Sequence, residues 1–179
     1  MSASGRAYRY VGPHHLIDAV QSADGGATIR TAADFAVWVA ARTVEELDEP
    51  FTFVIATDGA LRLAPRRSEN VACASGDRVL SAGEISFYTG AGRWAVNEVS
   101  NQSTGYCPDV ASWPTVAHAL DQADLDHPDC FTHAVVFRRC PTCQEHNIVR
   151  EDHFVCVFCE ADLPGYWNVD PNAEHPDRP

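Results

Sequence analysis

The sequence FTFVIATDGALRLA, residues 51–64, decides the fold of this chain. Its first six residues are aromatic, β-branched or apolar, and Asp58-Gly59 follows them, a dipeptide typical of two-residue hairpin turns. Two leucines then alternate with other residues, as expected for a strand that buries one face. The stretch predicts an antiparallel β-hairpin with strands over 51–56 and 60–64.

A second hairpin is predicted further along the chain. Residues 84–89 and 93–100 have the composition of strands and flank the turn Gly90-Ala91-Gly92. Residues 132–137 are rich in β-branched and aromatic side chains and predict one further strand. The polar residues 66–77, between the hairpins, predict a loop.

Two main helices are predicted beside these strands. Thr31 followed by Asp34 resembles a capping box, and the apolar stripe behind it continues to Leu47. Ser112 is the predicted N-cap of a second helix that runs to Ala123. A brief additional helix is predicted near the start of the chain, over 14–22.

Four of the seven cysteines form two Cys-x-x-Cys pairs with twelve residues between them. Two such pairs are typical of tetrahedral zinc coordination by four thiolates. The spacing predicts one structural zinc ion, and iron bound as in rubredoxin would use the same ligand set. The predicted ligands are Cys140, Cys143, Cys156 and Cys159.

The residues between the two pairs predict a short hairpin, 147–150 outward and 152–155 back. Four thiolates complete the coordination shell, so His146 and His153 are predicted to be surface residues. Of the remaining cysteines, Cys73 and Cys130 are predicted to be small buried side chains.

These elements predict an α+β fold: an antiparallel sheet of two hairpins plus a further strand, packed by two main helices and followed by a rubredoxin-like zinc ribbon. We expect a main domain over 1–137 and a Cys₄ ribbon over 138–170, packed on the main domain without a linker. The proline-rich acidic residues 171–179 predict a disordered tail.

The charge of the chain restricts its function. The formal net charge is −12 and there is no lysine, so binding to nucleic acid is disfavoured. A Walker-type phosphate loop and a Schiff-base enzyme both need a lysine and are excluded. No signal peptide or apolar membrane span is recognisable, which predicts a cytoplasmic protein.

Residues 97–108 are the densest polar segment of the chain and lie between a predicted strand and a predicted helix. Asn101, Ser103 and Tyr106 are candidate ligand-binding residues, since neutral donors and acceptors can orient a small molecule. The alternative is a hydrogen-bonded turn that holds the hairpin to the following helix.

Residues 101–108, NQSTGYCP, resemble the Asn-x-Ser-Gly-His-Tyr-x-Pro segment of modules in bacterial polymorphic toxin and conflict systems. Here Thr104-Gly105 stands where that segment has Gly-His. With its terminal ribbon, the chain also resembles uncharacterised actinobacterial proteins. The resemblance implies a bacterial origin and a conflict setting, and it supplies no mechanism.

Three catalytic arrangements are conceivable from residue types. A thiol enzyme would use Cys107, with His118 or His133 as base and Asn101 or Asp109 as orienting group. A nucleotide-using transferase would draw on Arg93, Glu98 and Ser103. His14 and Asp18 would share a helical face, where they could bind metal or transfer protons.

The sequence therefore favours a zinc-stabilised binding or adaptor protein with another protein as partner. Arg138 and Arg139, directly before the first cysteine pair, are candidates to bind an acidic partner or phosphate, or else form a solvated pair at a strand end. The alternative function is a small enzyme that acts on a nucleotide-like substrate through residues 97–108.

Overall fold

The computed structural model describes residues 5–20 and 25–172. The chain divides into two compact units, Met1–Ala134 and Val135–Pro179. The fold class is α+β, as predicted. Part of the predicted tail, residues 173–179, lies outside the described residues.

The first unit contains a five-stranded antiparallel sheet in the order β1-β3-β2-β4-β5. The hairpins β2–β3 and β4–β5 are joined by the pairing of β2 with β4. The strands are β1 (Ala27–Ile29), β2 (Phe51–Ala56), β3 (Leu61–Ala64), β4 (Val79–Gly90) and β5 (Arg93–Ser100).

Both predicted hairpins are confirmed, although β4 begins at Val79, five residues before the predicted start. The first part of β4 contains small residues with low strand propensity, and its pairing with β2 decides its conformation. Gly83 is required there, because a Cβ atom at this position would lie 1.8 Å from the Ser100 carbonyl oxygen.

The fifth strand is β1, and the prediction that residues 132–137 supply it is wrong. β1 pairs with β3 over three residues, Ala27 with Leu63 through Ile29 with Leu61. Three residues are too few for a periodic pattern to be recognised from sequence.

In the part of the chain that the structure describes, five short α-helices accompany the sheet: α1 (His14–Asp18), α2 (Ala32–Ala40), α3 (Val44–Leu47), α4 (Asn70–Cys73) and α5 (Trp113–Gln122). A 3₁₀ turn, Val110–Ser112, precedes α5. The predicted helix over 14–22 ends at Asp18 as α1, and residues 21–22 of that prediction lie outside the described residues. The predicted loop 66–77 contains α4.

The capping box of α2 is confirmed, with the Asp34 amide donating to Thr31 Oγ1 at 3.2 Å and the Thr31 amide to the Asp34 carboxylate at 3.0 Å. The prediction that this helix reaches Leu47 is wrong. It ends at Ala40, because Thr43 adopts an extended conformation and forms a second capping box with Glu46 that starts α3.

The helix α5 has nearly its predicted length, but Ser112 is not its capping side chain. The Ser112 hydroxyl is buried and lies 2.9 Å from the hydroxyl of Ser81 on β4. The Asp109 carboxylate caps the preceding 3₁₀ turn instead, by accepting from the Ala111 amide at 3.1 Å.

The sheet carries the main apolar core of the first unit, in which α5 packs against β2, β3 and β4 and α2 packs against β1. Aromatic contacts between α2 and the sheet, such as Trp38 against Phe51 with ring centroids 4.8 Å apart, close this core. Buried members include Phe35, Trp38, Phe53, Ile55, Leu61, Leu63, Ile85, Val116 and Leu120.

The second unit contains a two-stranded antiparallel hairpin, β6 (Val136–Arg139) and β7 (His146–Val149). The prediction of a hairpin between 147–150 and 152–155 is wrong, because β7 pairs with the strand that precedes the first cysteine pair. Among the described residues, no helix is long and apolar enough to cross a membrane.

Candidate metal centre

Both Cys-x-x-Cys pairs meet in the second unit, as predicted. Their four sulfur atoms all lie within 4.8 Å of one another. Two of these separations join one pair to the other, 3.6 Å between Cys140 and Cys159 and 3.5 Å between Cys143 and Cys156. Four sulfur atoms thus surround one point.

The β6–β7 turn positions the first pair. The Cys140 amide donates to the Glu145 carbonyl at 2.9 Å, and the Gln144 amide donates back to the Cys140 carbonyl at 3.0 Å. Gln144 adopts a left-handed conformation with φ 69°. This tight knuckle directs both thiols of the pair to the same side.

The second pair repeats the same geometry. The Cys156 amide donates to the Ala161 carbonyl at 2.8 Å, the Glu160 amide donates to the Cys156 carbonyl at 3.0 Å, and Glu160 has φ 62°. A bridge between Val155 and Asp162 closes the base of this knuckle. Two matching knuckles are what a four-thiolate site needs, since each supplies half of the ligands.

Asn147 on β7 connects the two knuckles and is buried. Its amide group donates to the Cys156 sulfur at 3.4 Å and to the Glu145 carbonyl at 3.0 Å. Its side-chain oxygen accepts from the Val157 amide at 2.9 Å. Sequence reasoning had missed this residue, because only the fold shows that it lies between both pairs.

The surroundings favour the thiolate form at Cys140 and Cys156, whereas burial and hydrogen bonds with the neighbouring cysteines raise the pKa of Cys143 and Cys159. Burial by itself would raise the pKa of Cys156, but the amides of Phe158 and Cys159 and the Asn147 side chain donate to its sulfur and lower the pKa to about 6. The pKa of Cys140 is lowered by the Cys143 and Thr142 amides. Thiolate is the form in which cysteine binds metal.

The cluster fits one tetrahedral metal ion. A Zn–S distance of about 2.3 Å places tetrahedral sulfurs about 3.8 Å apart. The separations of 3.6 Å and 3.5 Å between the two pairs are close to this value. A disulfide requires about 2.05 Å, so these sulfurs are free thiols. Four cysteines leave no open coordination position, and ferrous or ferric iron would accept the same donors.

The apolar core around the cluster is small. Only a few apolar side chains pack against the cysteines, too few to stabilise a unit of this length alone. A metal ion would supply the missing cross-link. The packed residues are Val136, Val149, Phe154, Ala161 and Leu163.

The structure separates the two candidate arginines. Arg138 is 7% exposed, and its guanidinium donates to the carbonyls of Phe137, Pro164 and Gly165 at 2.8–3.0 Å. The prediction that Arg138 grips a partner, and the alternative of a solvated side chain, are therefore both wrong. Arg139 is half-buried and stays a candidate for contact with a partner.

His146 and His153 are exposed, as predicted.

In the polar segment 97–108, the candidate residues Asn101, Ser103 and Tyr106 form hydrogen bonds that hold a turn. Asn101 is fully buried and donates to the Pro108 carbonyl at 2.9 Å, and the Ser103 hydroxyl accepts from the Tyr106 amide at 3.3 Å. Tyr106 is fully buried and donates to the Asp77 carbonyl at 2.6 Å. The prediction of a ligand-binding turn at these side chains is wrong, because their polar groups serve the fold.

The catalytic arrangements are not assembled either. Cys107 is buried, burial raises its pKa to about 12, and its thiol faces the Thr104 carbonyl at 3.3 Å. His133 contacts the exposed carboxylate of Glu98, and Arg93 forms ion pairs with two aspartates. A buried, protonated thiol is a poor nucleophile.

The other residues singled out from the sequence are Cys73, Cys130 and the pair His14 and Asp18. Cys73 is buried, as predicted, but Cys130 is exposed, because it lies in the irregular segment between α5 and β6. His14 and Asp18 are exposed on α1, a helix of five residues.

Two apolar side chains that sequence reasoning had missed stand out on the second knuckle. Val157 is 76% exposed and Phe158 is 62% exposed, directly between two of the clustered cysteines. The sequence does contain a signal for this exposure: both residues lie in the middle of a Cys-x-x-Cys pair, and the two middle residues of a tight knuckle point away from the metal ligands. Comparison with protein-family models, curated proteins and solved structures finds no match for this chain.

Proposed function

We propose that this chain is a zinc-stabilised binding or adaptor protein whose second knuckle docks into an apolar pocket of a protein partner. The observation that carries the proposal is the exposure of Val157 and Phe158 side by side. Adjacent large apolar side chains in water are costly unless a partner covers them, and aromatic residues are enriched where partners bind most strongly.

The metal has a structural part in this proposal. One zinc ion, bound by the four clustered thiolates, holds the two knuckles together. Because the ion fixes the backbone on both sides of Val157 and Phe158, the two side chains are presented in one conformation. Little conformational entropy is then lost when they bind.

A protein is favoured as partner over nucleic acid. The formal charge of −12 repels phosphate backbones, and Glu160 and Asp162 lie exposed beside the apolar tip. Of the two arginines before the first cysteine pair, half-buried Arg139 remains a candidate for contact with the partner. The bacterial conflict setting and the cytoplasmic location stay predictions from the sequence.

The test compares full-length wild type with Val157→Ser/Phe158→Ser in quantitative affinity capture followed by mass spectrometry. Val37→Ser/Val44→Ser is the matched control, since these valines are 75% and 71% exposed in the other unit. We expect one stoichiometric protein partner that only the knuckle variant loses, with its zinc content unchanged. Capture of the same partner by the knuckle variant contradicts the proposal.

A further inference from the structure

The four cysteines of the metal centre differ in how far the protein covers them. Cys140 and Cys156 are 0% and 1% exposed, and Cys143 is half-buried. Cys159, in contrast, is exposed, and it lies at the end of the second knuckle beside exposed Phe158. An oxidant dissolved in water therefore meets Cys159 before the other three cysteines.

A second sulfur atom lies close to the exposed cysteine. The Sγ atoms of Cys159 and Cys140 are 3.6 Å apart, although the two residues belong to different knuckles. A disulfide bond needs a separation of about 2.05 Å, so a small movement of one side chain would join them. The other close contact between the knuckles joins Cys143 to Cys156, which is buried and accepts from the Asn147 amide group.

We propose that Cys159 is the site at which a peroxide oxidises this protein, and that Cys140 converts the oxidised form into a disulfide between the two knuckles. The inference rests on the zinc site of the proposed function, because a cysteine that binds zinc is a thiolate and thiolate is the form that peroxide oxidises.

The chemistry has two steps, with hydrogen peroxide as the two-electron oxidant. The Cys159 thiolate attacks one oxygen of hydrogen peroxide, the O–O bond breaks, and a sulfenic acid and a hydroxide ion result. The Cys140 thiolate then attacks the sulfur of the sulfenic acid and displaces a second hydroxide ion. Two thiolates are thus oxidised to one disulfide, and one peroxide molecule is reduced to two hydroxide ions.

The disulfide would change the partner surface of the second unit. It removes two of the four thiolate donors, and the two cysteines left over do not complete a tetrahedral shell. The apolar core around the cluster is small, so the backbone beside Val157 and Phe158 is no longer fixed once the ion is lost. Oxidation of Cys159 therefore weakens the binding of the partner.

The rate at which the zinc-loaded, full-length chain releases zinc in excess hydrogen peroxide tests this site, with a chromophoric chelator as the readout. Cys159→His keeps a fourth zinc donor but removes the exposed thiol, so it should slow the release by about tenfold. Cys143→His is the matched control, because it keeps the contact between Cys140 and Cys159, and its rate should change by less than about twofold. Cys130→Ser removes an exposed cysteine outside the cluster and should release zinc at the wild-type rate.

Disulfide mapping of wild type is a second test that needs no variant to bind zinc. After brief peroxide treatment and alkylation of the remaining thiols, tandem mass spectrometry should find the link between Cys140 and Cys159 first. A first link between Cys156 and Cys159, or equal slowing by Cys143→His and Cys159→His, overturns the inference. Zinc that is present beforehand and stays bound in peroxide overturns the inference alone, whereas a chain without zinc before treatment overturns the zinc site as well.

Discussion

The phenol of Tyr106 donates a hydrogen bond of 2.6 Å to the backbone carbonyl of Asp77, 29 residues earlier in the chain. This bond ties the polar turn before α5 to the segment that leads into β4. The turn therefore fixes the segment before β4 through a long-range hydrogen bond.

Tyr106→Phe should lower the free energy of unfolding by about 1–2 kcal/mol, because it removes a buried hydrogen bond and keeps the ring. The measurement is chemical denaturation of the metal-loaded protein. Tyr88→Phe is the control, since Tyr88 is 50% exposed, and its effect should stay within about 0.5 kcal/mol. Equal effects of the two substitutions would mean that the Tyr106 hydroxyl has no structural role.

Asn147→Ala should weaken metal binding by about 10- to 100-fold, because the amide that donates to the Cys156 sulfur also links both knuckles. Competition with a chromophoric chelator measures this affinity. His153→Ala removes an exposed imidazole from the same unit and should leave the affinity unchanged. A loss in His153→Ala as large as in Asn147→Ala would contradict the four-cysteine ligand set.

Glycine at Gln144 and Glu160 should stabilise the metal-loaded second unit by about 1 kcal/mol. Both residues have left-handed backbones, with φ 69° and 62°, a conformation that costs side chains with a Cβ about 1–2 kcal/mol. Thermal melting of Gln144→Gly/Glu160→Gly measures the gain. Thr142→Gly, at a position without positive φ, should lower the melting temperature, and a gain there would count against the explanation.

Stability should fall as the pH rises from about 9 to about 12. Burial raises the pKa of Tyr8, Cys73 and Cys107 to about 12, from ordinary values of 10 for the phenol and 9 for the thiols. The unfolded chain therefore ionises first, so the contribution of these groups is complete below about pH 9 and is lost on approach to pH 12.

Denaturation midpoints at several alkaline pH values test this dependence. Cys73→Ala/Cys107→Ala removes both buried thiols, so its stability should fall less steeply with pH than that of wild type. Identical slopes in the two proteins would show that the thiols ionise as readily in the folded chain as in the unfolded one.

Local signals explain how much of the fold was predictable. The Asp58-Gly59 turn and the Thr31 capping box each specify a structure within a few residues, and both predictions are confirmed. The strand β1 and the early start of β4 depend on pairing with β3 and β2, distant partners that no short window of sequence contains. The helix break at Thr43 was recognisable as a second capping box, but the continuous apolar stripe obscured it.

The candidate site was likewise predictable where the signal is local and not predictable where it depends on distant residues. Two Cys-x-x-Cys pairs identify their four ligands by spacing alone, and the structure brings them together. The burial of Tyr106 and Arg138 depends on carbonyls 26 to 29 residues away, Pro164 for the arginine and Asp77 for the phenol. The polar side chains of Tyr106 and Arg138 suggested binding of a ligand or partner. In the structure, both side chains donate hydrogen bonds to backbone carbonyls of the chain itself.

The metal content of the purified chain tests whether four thiolates hold one structural zinc ion. Inductively coupled plasma mass spectrometry should find one zinc per chain in wild type and little in Cys140→Ser, whose sulfur lies 3.6 Å from that of Cys159. Wild type with no zinc, with iron in its place, or with zinc fully retained in Cys140→Ser would contradict the account.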